Sequence, residues 1–258
     1  MKVCDVVNII DSAAPYSIAC EWDNSGFLVG YGENEVKRVL VALDLTDSVL
    51  SEAEKTGCNL IVTHHPFIFK GLSRITDESF EGRMVLKLIE KGISLVCAHT
   101  NLDMAKFGVN RSLAEKMGIR SIEGMDVLPD TKAPQWFFGE LSEALFPEDF
   151  ALLLKENLKA GAVKYTKYNK MIKKVGFCSG SGADYIENAK KAGLDAFVTA
   201  EVKHHQLLMA KELGICVFDA GHFSTEAHIK EFLVDMLRKK FPGVMFKASS
   251  ETDPALYV

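Results

Sequence analysis

Apolar residues in the first turns of the chain recur at helical spacing (Val3, Val6, Val7, Ile9, Ile10), which predicts a helix over 3–13 that Pro15 stops. A polar, glycine-containing stretch at 21–26 (EWDNSG) reads as a loop. Beyond it the pattern changes to short β-branched runs of the buried-strand type, over 36–45, 58–63 and 93–98. Between them lie amphipathic stretches. Thr46 is placed to cap a helix ending near Gly57, and Gly92 closes a helix over 81–91. A short helix over 109–117 precedes DVLPDTKAP (126–134), whose two prolines and polar residues mark the best linker in the chain.

The second half repeats the alternation. Strands are expected at 136–141, 173–178, 195–199 and 215–219, and helices at 147–158, 183–192 and 203–213. A last helix over about 225–239 has an apolar stripe of Phe232, Leu233, Met236 and Leu237. Alternating strands and helices predict an α/β fold with mixed or mostly parallel sheets. Two segments also align without gaps: 46–65 with 182–201 matches Ala53 to Ala189, Gly57 to Gly193 and Thr63 to Thr199. GISLVCAHTNLD (92–103) likewise resembles GICVFDAGHFSTE (214–226). The expectation is two related α/β lobes, 1–128 and 129–258, whose terminal elements are free to exchange; chance likeness between two helix–strand units is the alternative.

Composition narrows the partners. With 48% apolar and 25% charged residues the chain reads as globular. Its net charge of −5 makes nucleic acid an unlikely partner, since backbone-gripping proteins carry a basic excess. No apolar run is long enough to span a bilayer and no signal peptide is visible, so no membrane and a cytoplasmic location are expected. The six cysteines form no C-x-x-C pair; Cys58, Cys97, Cys178 and Cys216 flank apolar strand-like runs and read as buried free thiols of a reducing compartment.

Candidate chemistry gathers where strands end. Thr63-His64-His65-Pro66 follows one buried strand, and Pro66 helps to mark its end. Adjacent strand residues point to opposite faces, so the two imidazoles splay, suiting two ions better than one. His99-Thr100-Asn101-Leu102-Asp103 follows a second strand and Gly221-His222-Phe223-Ser224-Thr225-Glu226 a third. Each histidine alone reads as a structural residue; three clusters at three strand ends, among only seven histidines, point to a shared metal site. Imidazole and carboxylate ligands suit zinc, iron, manganese, nickel or cobalt. Glu201, His204 and His205, at i, i+3 and i+4, share a helix face and either line the site or serve the helix dipole. CSGSGAD (178–184) lacks the spacing of a phosphate-binding loop and reads as a tight turn. Trp22, Asp23 and Asn24 are candidates for the rim of a cleft, and His228 is expected to face solvent.

The motifs WDNSG (22–26), VTHHP (62–66), AHTNLD (98–103), TAEVKHH (199–205) and GHFSTE (221–226) resemble the Nif-three-like family, the GTP cyclohydrolase 1 type 2 homologues, across nearly the whole chain. The resemblance implies two α/β lobes with a dinuclear metal centre in the cleft between them and a homohexameric ring; the chain is too short for the inserted middle domain of some members. It further implies His64, His65, Asp103, His222 and Glu226 as ligands of two divalent ions, Glu226 bridging, with His99 beside them as a further ligand or proton carrier.

Five protein ligands leave coordination positions open, the mark of a catalytic site. A metal-bound hydroxide then acts on a nucleotide-like or phosphorylated small-molecule substrate, with His99, or Glu201 with His204, moving the proton. The alternative is a non-enzymatic, metal-stabilised ring serving as a scaffold or binding protein.

Overall fold

The computed structural model describes residues 1–258. In chain order the elements are α1 (Val3–Ala13), β1 (Gly26–Val29), β2 (Arg38–Ala42), α2 (Asp47–Thr56), β3 (Leu60–Thr63), α3 (Phe80–Lys91), β4 (Ser94–Cys97), α4 (Thr100–Met104), α5 (Val109–Lys116) and β5 (Ile119–Met125). They continue with β6 (Trp136–Leu145), α6 (Pro147–Asn157), β7 (Lys164–Tyr165), β8 (Ile172–Phe177), α7 (Ile186–Lys191), β9 (Ala196–Thr199), α8 (His204–Leu213), β10 (Cys216–Asp219), α9 (His222–Glu226), α10 (Ile229–Lys240) and β11 (Met245–Ala248).

These elements form two compact units, residues 1–105 with 229–252, and residues 106–228 with 253–258. The first unit holds a five-stranded sheet in the order β1-β4-β3-β2-β11, parallel except for β1. Every residue of β3 and β4 is buried, as their unbroken apolar runs require for strands covered on both faces. The helices begin and end where their chemistry dictates. The Thr46 hydroxyl accepts from Val49 N at 3.2 Å, and Gly57 closes α2 at φ +70°. Leu40, Ile61 and Leu95 from the sheet pack with Val49, Met84 and Leu88 from α2 and α3.

The second unit holds a six-stranded mixed sheet, β5-β6-β8-β9-β10-β7, in which β8, β9 and β10 run parallel. Phe150, Phe177 and Phe218 centre one face and Trp136, Phe197 and Val217 the other. Both sheets are thus mixed, within the expected α/β class. Residues 126–134, where the prolines suggested a boundary, lie inside this unit, because β5 precedes them and pairs with β6 after them.

Three further expectations change. The last helix is two helices, one ending at Glu226 and the next starting at Ile229, with a two-residue turn between them. His228, in that break, is half-buried and its Nε2 lies 3.3 Å from the Val109 carbonyl instead of facing solvent. Among the thiols, Cys58, Cys97 and Cys216 are buried, but Cys178 is only partly so. Burial drives the Cys97 thiol well above its ordinary pKa and the Cys216 thiol up to about 12. No helix is long and apolar enough to cross a membrane.

One buried ion pair ties the ends of the first unit together. Lys230 of α10 and Glu251, with side chains 6% and 8% exposed, meet at 3.1 Å. Glu251 also accepts from the backbone of Leu43 at 2.5 Å and of Asp44 at 3.3 Å, just beyond β2. Lys230→Met takes the countercharge from this buried carboxylate, which keeps only neutral donors, and is expected to cost about 3 kcal/mol in urea unfolding. Iodoacetamide on the native protein is expected to leave Cys58, Cys97 and Cys216 unlabelled until denaturant is added, as peptide mass mapping would read.

Candidate metal centre

In the first unit the parallel strands β2, β3 and β4 end level, with Ala42 beside Thr63 and Thr63 beside Cys97. The turns that follow carry Asp44, His64 with His65, and His99 respectively, at the carboxyl edge where α/β folds collect ligands. The Thr63 hydroxyl donates to the His65 carbonyl at 2.8 Å and the Cys97 thiol lies 3.0 Å from the His64 carbonyl, fixing the turn that presents both rings. Ring centroids of His64, His65 and His99 lie 5.0–5.5 Å apart, and one donor atom from each falls within 4.8 Å of the others. Asp103, on α4, brings Oδ1 to 3.5 Å from His64 Nε2.

Each ring is held by its other nitrogen. His64 Nδ1 donates to the Ala98 carbonyl at 2.8 Å, His65 Nδ1 to Asp44 Oδ1 at 2.9 Å, and His99 Nδ1 to Asp23 Oδ1 at 2.8 Å. A carbonyl or ionised carboxylate only accepts, so the proton of a neutral ring sits on Nδ1 and the lone pair on Nε2. This is the outer-shell arrangement that orients metal-binding histidines.

Asp23 anchors the loop beside this set. Its fully buried carboxylate accepts from five donors: Asn24 N, the Ser25 hydroxyl, His99 Nδ1, and the backbone and hydroxyl of Thr100. Burial alone would raise its pKa, but the hydrogen bonds from His99, Thr100 and Ser25 outweigh it and hold the carboxyl well below the usual range.

The second unit repeats the device at the ends of β8, β9 and β10. After β10, Gly221 turns at φ +84° into α9, which carries His222 and Glu226 one turn apart, with Nε2 3.1 Å from Oε2. His222 Nδ1 donates to Glu201 Oε1 at 2.8 Å. Glu201 follows β9 in a left-handed conformation, φ +55°, rare for a residue with a Cβ. It therefore lies outside α8, and the shared helix face expected of Glu201, His204 and His205 does not exist. His204 and His205 are exposed at the start of α8, and no hydrogen bond, ion pair or ring contact joins them to His222 or Glu226.

Gly180, in the turn after β8, explains the CSGSGAD stretch. A Cβ there would overlap Glu226 Oε1 and come within 3.1 Å of His222 Nε2. Its backbone N–H donates to the Thr225 hydroxyl at 3.1 Å and its carbonyl accepts from Ala200 N at 2.8 Å. The glycine permits close packing on the donor pair. The fit to a cation can be judged from the donors themselves. In both units an imidazole lone pair faces a carboxylate oxygen, two acceptors at 3.1 and 3.5 Å, an arrangement that a shared cation relieves.

Asp23→Asn turns an amide N–H₂ or a weakened acceptor towards five fixed donors and is expected to cost about 2–3 kcal/mol in urea unfolding. Gly180→Ala is expected to displace Glu226 and lower metal uptake, measured by plasma mass spectrometry, beyond what its strain of about 1–2 kcal/mol explains.

A family model described as Duf34/NIF3 (NGG1p interacting factor 3) matches residues 1–254. A GTP cyclohydrolase 1 type 2 homolog of Clostridium perfringens is 37% identical, over 88% of this chain and 87% of its own length. One from Clostridium acetobutylicum is 34% identical over 98% and 94%. The crystal structure of a Staphylococcus aureus hypothetical protein superposes with a TM-score of 0.93 at 32% identity, covering 100% of this chain and 99% of that one.

Proposed function

The chain belongs to the Duf34/NIF3 family, and from that premise we propose that it is a metal-dependent hydrolase acting on a nucleotide-like or phosphorylated small molecule. Its relatives carry the name GTP cyclohydrolase 1 type 2 homolog, which suits the substrate class without selecting guanine. We take the cofactor to be two divalent ions per chain, as a dinuclear centre with His64, His65, Asp103, His222 and Glu226 as ligands. The observation that carries this reading is the locking of four imidazoles through Nδ1, which leaves four Nε2 atoms as donors.

Five protein ligands shared between two ions leave coordination positions open, which favours a centre with room for water and substrate over a closed structural site. Two ions held by these residues would supply a water of lowered pKa and a Lewis acid for the group under attack. The residues themselves would do the rest. Asp44, Asp23 and Glu201 keep His65, His99 and His222 in one tautomer and orientation. His99, hydrogen-bonded to a strongly acidic Asp23, is the group proposed to hold or pass a proton at Nε2. Glu201 acts in this scheme by orienting His222, and His204 has no part in it. A homohexameric ring and a cytoplasmic location complete the proposal, the latter resting on the buried free thiols.

Protein purified without added metal is expected to carry about two divalent ions per chain by plasma mass spectrometry, and His64→Ala to lose them. Dialysis against a chelator is expected to abolish turnover in a phosphoester and nucleotide screen, with recovery on readdition. Full folding with no metal bound, and none taken up on reconstitution, would remove the hydrolase and favour the scaffold.

A further inference from the structure

Trp22 is 60% exposed, although it sits in one of the most firmly anchored loops of the first unit. Its neighbour Asp23 is fully buried and holds five donors, and Asp23 N in turn donates to the Cys20 carbonyl at 2.9 Å. Two residues on, the Asn24 amide donates to the Ile68 carbonyl at 2.5 Å, fastening this loop to the one after the histidine pair. That second loop supplies Phe69, 45% exposed, whose ring lies 5.8 Å from the indole at a tilt of 39°. The indole's other neighbour is His99, 6.1 Å away and edge-on. An exposed tryptophan on a floppy loop would mean little. Here the backbone is fixed on both sides, so the indole is held in water beside the three imidazoles at a standing cost in exposed apolar surface.

We propose that Trp22 and Phe69 form a stacking shelf for a flat heteroaromatic ring of a small-molecule ligand, holding it beside His99. The proposal deepens the hydrolase reading by naming a part of the substrate, and it rests on that reading for the reaction though not for the binding.

Three observations favour this occupant. The apolar patch is two rings wide, and the chain neighbours of its two rings, Glu21 and Lys70, are exposed and charged, as suits a small-ligand site. It is far smaller than the roughly 800 Å² per side of a stable protein interface. An electron-rich indole face suits offset stacking on an electron-poor nitrogen heterocycle. Beyond Phe69 a cavity of about 600 Å³, lined also by Lys70 and Arg74, leaves room for the remainder of such a molecule. Neither cation has an ion-pair or hydrogen-bond partner within the chain, so both are available to an anionic group.

The chain is well made for the test, because its only other tryptophan, Trp136, is fully buried with its indole N–H on Asp126 at 2.6 Å. The red-shifted, acrylamide-quenchable part of the emission therefore belongs to Trp22. Metal-loaded protein would be titrated with adenosine 5′-monophosphate, nicotinamide mononucleotide and ribose 5-phosphate, which share a sugar phosphate and differ in the ring. Both ring-bearing ligands are expected to quench Trp22, and ribose 5-phosphate to bind at least tenfold more weakly. By calorimetry Trp22→Ala is expected to weaken the two nucleotides about tenfold, and Trp22→Phe to restore them to within about threefold. Unchanged Trp136 emission in each variant would establish that the fold is intact.

Equal binding of all three ligands, or nucleotide binding unaffected in Trp22→Ala, overturns the shelf. So does a Trp22 already shielded from acrylamide in the free protein, which means that another protein surface covers it. Binding and turnover fail separately. Quenching with no hydrolysis of any substrate leaves the shelf and removes the hydrolase. Hydrolysis with an unchanged KM in Trp22→Ala does the reverse.

Discussion

Parallel strands paired in register leave their sheet at the same height, and both donor sets depend on it. In the first unit Ala42, Thr63 and Cys97 stand side by side, so the turns bearing Asp44, the histidine pair and His99 leave from one edge. In the second, Phe177 stands beside Val198, and Thr199 beside Asp219, which places the turns of Gly180, Glu201 and His222 in the same relation. A slip by one residue would turn a buried strand's side chains to the opposite face and carry its turn residue away from the edge. The fully buried runs of β3, β4 and β9, with the helix caps at Gly57 and Gly92 that precede the first two, therefore specify the site as well as the core.

On that frame the orientation of each imidazole is settled by a neighbour that only accepts. The partners come from different places: a backbone carbonyl for His64, the turn after β2 for His65, the anchored loop before β1 for His99, and a left-handed residue after β9 for His222. Four rings held in one tautomer are a preorganised set, for which little rotamer freedom remains to be lost when a ligand arrives. The strain at Glu201 fits this picture, since unusual backbone geometry persists where the surroundings enforce it.

How much of this could be read from the sequence varies with the range of the interaction. Strand runs, helix caps and the placing of His64, His65, His99 and His222 just past strand ends are local patterns, and the observed elements follow them closely. Asp44 and Gly180 were invisible for a different reason. An aspartate after a strand and a glycine in a turn are common, and what distinguishes them is a partner 21 or 46 residues away in the chain. Glu201 was misplaced because helical spacing from His204 and His205 suggested a shared face, whereas the chain enters α8 only at His204. The proline-rich stretch at 126–134 misled because prolines mark any sharp turn, including one between paired strands. Lys230 lay on the buried side of a helix whose sequence gives no hint of Glu251 at the other end of the bond.

That bond sets a timetable for the protein's birth. A ribosome delivers residue 105 long before residue 251, and at about 5–20 residues per second the interval is on the order of ten seconds. During that time the nascent first unit has its three histidines but lacks α10, β11 and the carboxylate that grips the backbone of Asp44. The turn that steers His65 is finished only when nearly the whole chain has emerged, so the order of synthesis itself delays the moment at which this imidazole is fixed in place.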